Sequence, residues 1–568
     1  MGNSLSLTSF ALYKKQSKSL PIDTIFKFPS PISTWSSSSE EGGFGSGYID
    51  LGGLHVHQIT TFNKIWSIRK GGVDNLGATF FEPAEIPDGF FMLGCYAQPN
   101  NQPLFGWTLV AKGISNGESS NEILKKPTDY TLIWSSKYLK SSQDGHGYIW
   151  LPIAPDGYKS VGYVATNTPE KPSLDKVRCV LEEFTDELEP ADWIWGLSKR
   201  RGNCKFDVYS SRPRVRGIQA QGVRANTFVV KLGDDNDATP SIACLKNNNF
   251  RNFSAMPNVK QIEELLQAYS PVIYFHPAEK YFPSSVNWYF SNGTLLYSKE
   301  AESNPVSMEH SGANLPQGGS NDGAHWLDLP IDENSKERVK TGDLQSAEAY
   351  LQIKPMLGAT FTDISLWIFY PFNGPGTAKL GLIDIPLGKI GEHIADWEHL
   401  TLRISNFNGI LYKVYFSQHS GGKWIDASLL EFYNGTNKPV AYSALNGHPN
   451  YHKPGLVLQG SGQVGIRNDT AKSDKFFDTG SKYSIVSAEY LESEIVEPPW
   501  LNYLRHWGPK IAYNSDAEAK KVEAMLSTRL KPLFRRLVKI LPNEFYGEDG
   551  PTGPKVKGCW NGDEKSCS

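Results

Sequence analysis

A chain of 568 residues is too long for one ordinary hydrophobic core and predicts two or three domains, which excludes a disulfide-stapled miniprotein. The net charge of −3 gives no global attraction for nucleic acid, so any anion binding has to be local. With 52 Gly, 36 Pro, 15 Trp, 26 Tyr and 28 Phe, strands and turns outweigh long helices and the fold class is mainly β.

Six cysteines, Cys95, Cys179, Cys204, Cys244, Cys559 and Cys567, lack CxxC spacing and read as reduced, mostly buried thiols, which favours a cytoplasmic setting. Four sequons, at Asn252, Asn292, Asn434 and Asn468, matter only on a secreted chain, and the amino terminus has no charged region followed by an apolar one. No run of about 18 apolar residues could span a bilayer. The opening "MGNSLS" instead fits N-myristoylation, with Gly2 exposed after removal of Met1 and Ser6 in the preferred position. Lys14, Lys15 and Lys18 supply the electrostatic contact that a single acyl chain needs to hold a membrane.

Residues 1–47 read as a flexible, acylated tail, ending in the Ser/Gly/Glu-rich "TWSSSSEEGGFGSG". Residues 48–250 form the first domain, in which short apolar runs are cut by Gly, Pro and Asp. There "EIPDGFFMLGCYA" at 85–97 and "IAPDGYKSVGYVA" at 153–165 repeat one phrase. Pro87-Asp88-Gly89 and Pro155-Asp156-Gly157 are turns, each launching a strand, and such repetition predicts a quasi-symmetric β-prism or barrel. The basic stretch from Lys199 to Arg224 follows, with Arg200, Arg201, Lys205, Arg212, Arg214 and Arg216; its alternatives are a solvated loop beside a charge-blunted edge strand, or an arginine cluster that holds membrane phosphate.

After a polar linker, residues 259–568 form the second domain. "NVKQIEELLQAYS" opens it as a helix, with Val259, Ile262, Leu265 and Leu266 at helical spacing. His276 packs or caps, residues 300–345 are a lid or disordered, and strands resume at "AYLQIKP" and "ISLWIFYPFNG". Near the end a helix is capped by Ser515 or Asp516 and interrupted at Pro532.

The stretch "GEHIADWEHLTLRI" at 391–404 carries the chemistry. Strand alternation puts Asp396, Glu398, Leu400, Leu402 and Ile404 on one face and Trp397, His399, Thr401 and Arg403 on the other. Two carboxylates about 7 Å apart at the rim of an apolar row repel each other, and a divalent cation between them relieves that repulsion. His393 can curl onto the same ion, Asp384 and Glu392 are further ligands, and the mixed oxygen and imidazole set suits Mg²⁺, Ca²⁺ or Mn²⁺. His419, His448 and His452 lie beside Gly and Pro in loops, where they can contact substrate with Trp397.

"WIFYPFNGPGTAKLG", "GEHIADWEHLTLRI", "YFSQHSGGKW" and "ALNGHPNYHKPG" resemble the plant family of vacuolar protein sorting-associated protein 62 from about Tyr48 onward. The "PDGY…VGYV" phrase resembles the β-prism modules of endosomal sorting proteins. The central motif is similar to the Gly-His-Arg-His-Asp-Trp-Glu heptapeptide of necrosis- and ethylene-inducing-like cytolysins, β-sandwich proteins that use a divalent cation to bind sphingolipid head groups. The resemblance implies metal roles for His393, Asp396 and Glu398. Ala395 replaces the motif's second histidine, and Asp384 is the approximate counterpart of an upstream aspartate ligand.

These readings converge on an amino-terminal β-prism-like domain and a carboxyl-terminal β-sandwich with a closing helix. The expected protein is cytoplasmic and peripherally membrane-associated; it binds a lipid or glycan head group over a cation and meets sorting-machinery proteins, but not nucleic acid. The alternatives are a metal-dependent hydrolase, with His399, His419 or His448 moving protons, and an intracellular defence protein that permeabilises membranes.

Overall fold

The computed structural model describes residues 19–32, 34–36, 42–114, 122–139, 143–196, 206–233, 242–509, 513–539, 541 and 551–566. The protein is mainly β. Gly2, Lys14, Lys15 and Lys18 lie outside the described residues, as do Lys199, Arg200, Arg201 and Lys205 of the basic stretch. No helix among the described residues is long and apolar enough to cross a membrane.

The first half repeats one unit of six short strands three times, where the sequence displays two copies. The first unit runs from Leu54–Ile59 to Thr108–Gly113, the second from Leu124–Lys125 to Cys179–Leu181 and the third from Thr185–Asp186 to Cys244–Lys246. In every unit the first, fourth and sixth strands pair into one sheet and the second, third and fifth into another. Tyr48–Asp50 adds one strand to the first of these sheets. The Pro87 and Pro155 turns close as expected, with Phe90 N donating to Pro87 O and Tyr158 N to Pro155 O over glycines at φ +80° and +79°.

The chains entering the fifth strand of each unit meet at a common centre. A Cβ on Gly94 would lie 2.7 Å from the Gly162 Cα and 2.9 Å from the Thr227 Cγ2, so only glycine allows this approach. Cys95 N donates to Tyr163 O and the Thr227 hydroxyl to Val161 O across that centre.

In the second half the Val259–Tyr269 helix forms as its spacing predicts, with Asn258 and Gln261 closing a reciprocal capping box. A six-stranded sheet follows in the order Gly421–Asp426, Leu411–Gln418, His393–Ser405, Phe361–Asn373, Ala349–Met356 and Tyr483–Ser487. Ile364, Leu366, Leu400, Leu402 and Ile404 on one face share a core with Ile273, Phe275 and Ala441 of a four-stranded sheet and with Ile262 and Leu265 of the helix. Trp367, Phe369 and Trp397 on the other face pack with Trp500, Trp507 and Trp560. Every residue of Phe361–Asn373 is buried, because both faces are covered.

The two halves share a third core, in which Leu54, Val56 and Trp107 pack with Met356, Phe361 and Tyr412. The described part of the amino-terminal segment is packed rather than loose. Phe26 and Phe28 pack with Phe105 and Phe432, Trp35 donates its indole N–H to Asn408 O, and Gly45 and Gly47 bond to the backbone at 406 and 407. Three aromatic side chains, Phe26, Phe28 and Trp35, explain the difference, since each buries apolar area against the folded body. Residues 300–345 also fold, with a Glu333–Thr341 helix capped by Asp332.

The carboxyl-terminal helix is two helices, Ser515–Met525 and Lys531–Val538. Asn514 is the cap, accepting from Ala517 N, and Pro532 opens the second helix, where its missing N–H costs nothing. They cover a small separate sheet through Leu380, Ile385 and Ile466 rather than the six-stranded one. Cys95, Cys179 and Cys244 are buried free thiols as expected, but Cys559 is disulfide-bonded, against the reading of six reduced thiols.

Candidate functional site

The Phe361–Asn373 and His393–Ser405 strands pair so that Tyr370 faces Asp396, Ile368 faces Glu398 and Asn373 faces His393. The Leu411–Gln418 strand joins the opposite edge only from the Leu400–Phe416 pair onward. On that side residues 393–399 have no ladder neighbour among the described residues, and a cleft of about 190 Å³ opens along this edge. Because the cleft meets an edge rather than a face, residues from both sides of the strand line it, Asp396 and Glu398 as well as Trp397 and His399.

Backbone strain gathers here. Ala395, His419, Asn446 and His448 have φ of +58°, +55°, +68° and +61°, each costing a non-glycine residue about 1–2 kcal/mol. Between the Tyr370–Asp396 and Phe372–Ile394 pairs the ladder misses a rung, since Pro371 has no N–H and Ala395 turns left-handed. That turn brings the Ala395 carbonyl 2.8 Å from His393 Nδ1. A carbonyl only accepts, so the neutral ring carries its proton on Nδ1 and presents the Nε2 lone pair.

Glu398 is 6% exposed and accepts a hydrogen bond from the Ser417 hydroxyl. Among the described residues neither Glu398 nor Asp396 is in an ion pair; Asp396 accepts from Trp397 N at 2.8 Å. Burial, then the neighbouring Asp396 charge, pushes the Glu398 carboxyl up to about 8, against the opposing pull of the Ser417 bond and the Lys557 ammonium. The indole N–H groups of Trp367 and Trp397, both lining the cleft, are buried without an acceptor.

Other expected site residues fall in different places. Asp384 is engaged by Arg467 and by Lys379 at 3.5 Å and does not line the cleft; Arg467 does, and also binds Asp469 at 2.6 Å. Glu392 is half-buried and pushed up by burial. His419 lines the cleft with its Nε2 3.0 Å from the Asn468 amide oxygen. His448 sits behind it, fully buried and stacked 3.9 Å from Tyr370, with Nε2 donating to Tyr281 O. His452 is absent from this cleft and lines a second cavity between the halves. Arg212 and Arg214 pair with Glu189 and Glu187 at 2.7 and 2.8 Å, away from the cleft. His276 caps a turn, accepting from Ala278 N.

Residues that the sequence reading passed over also contribute. Lys557 reaches the cleft from a segment, 551–566, that lies across the Trp397 face of the sheet. Beneath it Glu564 Oε1 accepts from Lys354, Ser365 and Thr401. The one group of three metal-ligating side chains whose donor atoms lie within 4.8 Å of one another, among the described residues, is His399, Cys559 and Glu564. The disulfide denies that group a thiolate. His393, Asp396 and Glu398 share the cleft but are not gathered as tightly. The only sequence hint of Lys557 and Glu564 is Trp560, a lone large aromatic in a polar tail.

A search of the curated proteins finds no match. Among solved structures, GNIP1Aa from Chromobacterium piscinae is 17% identical over 39% of this chain and 41% of its own length, with a TM-score of 0.29, so the chain spans less than half of that protein. A protein described as a toxin fold for microbial attack and plant defense is 12% identical over 41% of this chain and 76% of its own, TM-score 0.20. NLPPya in complex with glucosamine is 12% identical over 34% and 68%, TM-score 0.18. The model of the family described as vacuolar protein sorting-associated protein 62 matches residues 22–564. Nearly the whole chain is covered by that match, and the protein belongs to the vacuolar protein sorting-associated protein 62 family.

Proposed function

We propose that the cleft holds a divalent cation and presents it to a lipid or glycan head group, on a peripheral membrane protein of vacuolar or endosomal sorting. The observation that carries this reading is Glu398, a buried carboxyl beside a second carboxylate with a hydroxyl as its hydrogen-bond partner. A buried charge of that kind is costly until a cation pairs it. Asp396 and Glu398 would supply oxygens and His393 Nε2 a nitrogen, a set that suits Mg²⁺, Ca²⁺ or Mn²⁺. The unpartnered indole donors of Trp367 and Trp397 would meet oxygens of the head group.

The sorting role is supported by the family description. In this reading the threefold repeat is a β-prism-like module for membrane or partner contact, the facing sheets are a β-sandwich, and an acylated Gly2 adds a second hold on the bilayer.

Titration calorimetry with each of the three cations tests the site. The wild type is expected to bind one ion and the Asp396→Ala and Glu398→Gln variants none, while wild-type binding of no ion ends the reading. Flotation with phosphatidylinositol-phosphate or sphingolipid liposomes, with and without EDTA, and titration of glucosamine into the cation-loaded protein separate the lipid from the glycan ligand.

A further inference from the structure

Where the two halves meet, a cavity of about 380 Å³ lies between the first and third strand units and the Leu411–Gln418 and Gly421–Asp426 strands. That volume is within the range of small-molecule sites. Part of its wall is aromatic: Tyr412 is stacked on Phe105 at 5.0 Å and meets Trp107 edge-on, and Trp193 stands 41% exposed at the mouth.

Charge in this cavity is not balanced. Arg224 lines it with a buried Nε that donates to nothing, and among the described residues its guanidinium is in no ion pair or hydrogen bond, though the Asp192 and Asp426 charges favour its charged form from a distance. The two carboxylates nearby are already engaged: Lys413 lies 3.6 Å from Asp192 and 3.3 Å from Asp426, and Lys565 lies 3.7 Å from Asp192. A further cation, Lys423, is exposed at the rim and in no ion pair among the described residues. Burial lowers the Arg224 pKa from its ordinary value, though a guanidinium keeps its charge at any ordinary pH. His452 on the opposite wall is pushed down to about 4 by burial and the nearby lysines, so it is neutral at pH 7 and can accept a proton donor.

Arg224 is half-buried, and its buried Nε lacks the acceptor that a purely structural arginine would have. We propose that this cavity is a binding site for a small organic anion, a carboxylate or phosphate group held by Arg224 on an aromatic body that packs against Trp193 and Trp107. The fork of Arg224 matches both oxyanions bidentately. The aromatic walls exclude water from the pair and select for the ring. The site is separate from the Glu398 cleft and does not depend on any cation there.

Benzoate, phenyl phosphate and inorganic phosphate are the probes, titrated into the full chain by calorimetry and tryptophan fluorescence. One molecule of benzoate or phenyl phosphate is expected to bind, whichever binds tighter naming the head group, and inorganic phosphate should bind more weakly than phenyl phosphate. Arg224→Gln should weaken the tighter probe by about 30-fold or more, while leaving the melting temperature of the free protein unchanged or higher. Arg224→Lys and the surface change Trp193→Ala keep the test open should Arg224→Gln fail to fold; the first should recover part of the affinity and the second lose it. Failure of both aromatic probes to bind at millimolar concentration, or wild-type affinity in Arg224→Gln, overturns the proposal.

Discussion

Lys354 and Glu564 meet 2.8 Å apart where water does not reach, 2% and 1% exposed. Glu564 also takes hydrogen bonds from Thr401 and Ser365, so one carboxylate ties the 551–566 segment to three strands of the six-stranded sheet. Removing one partner of a buried pair leaves the other uncompensated, at a cost of about 3–5 kcal/mol. Glu564→Ala is therefore expected to lower the unfolding free energy by that amount, read as a lower denaturant midpoint at unchanged slope. Thr401→Val should cost about 1 kcal/mol, the net worth of one hydrogen bond.

The Glu398 carboxyl sets a pH dependence. Its value in the folded protein, about 8, stands above the ordinary 4.5, so the folded state holds this proton more tightly than the unfolded chain. The stability it contributes is fully present below 4.5 and is lost as the pH rises through about 8. Melting temperatures of the metal-free protein should fall across that window, and Glu398→Gln should flatten the fall. An identical slope in the variant would refute the assignment.

Cation binding should stabilise the fold by mass action, by about 2.7 kcal/mol at a hundredfold excess over Kd. Thermal shift with and without EDTA measures it, and Asp396→Ala should abolish the difference while keeping a cooperative transition.

Ala395 carries its methyl group at φ +58° with its side chain fully buried. Ala395→Gly is expected to stabilise the chain by about 0.5–1 kcal/mol, since glycine adopts this backbone without strain. Ala395→Val should be strongly destabilising, because a β-branched residue is an outlier there. Chemical denaturation of the two variants gives opposite signs if the strain is real.

The glycines at the centre of the threefold repeat are predicted to be unequal to those at its edge. A Cβ on Gly162 would fall 2.6 Å from the Thr227 Cγ2 and 2.9 Å from the Gly94 Cα, whereas one on Gly157 meets nothing within 4 Å. Gly162→Ala should cost about 1–3 kcal/mol through overpacking. Gly157→Ala pays only for its positive φ, and comparison of the two by urea denaturation checks the ranking.

The sequence was most legible where one short period carries the signal. The Val259–Tyr269 helix follows from four apolar residues at helical spacing, and the two-faced His393–Ser405 strand follows from simple alternation. The third strand unit was hidden because it replaces the Pro-Asp-Gly turn with "GIQAQ", so pairing, not a phrase, defines the repeat. The cleft was legible in Asp396 and Glu398 but not in Lys557, which is delivered from 159 positions beyond Glu398 by a segment whose place is fixed by buried charge. His452 was grouped with His448 by proximity in sequence, yet on either side of the short Asn450–Tyr451 strand His448 is buried against Tyr281 O and His452 lines the cavity between the halves. Spacing along a loop carries no directional information once Pro and Gly bend it.

The meeting of Gly94, Gly162 and Thr227 bears on how the first half could have arisen and how far it can drift. A unit copied twice is free to lose its turn phrase at the rim, as the third copy has, because each rim answers only to solvent. Its centre answers to the other two copies at once, so a larger side chain in any one of them is a defect for all three. What the three copies share there is a limit on total volume, which leaves no phrase of common letters to find.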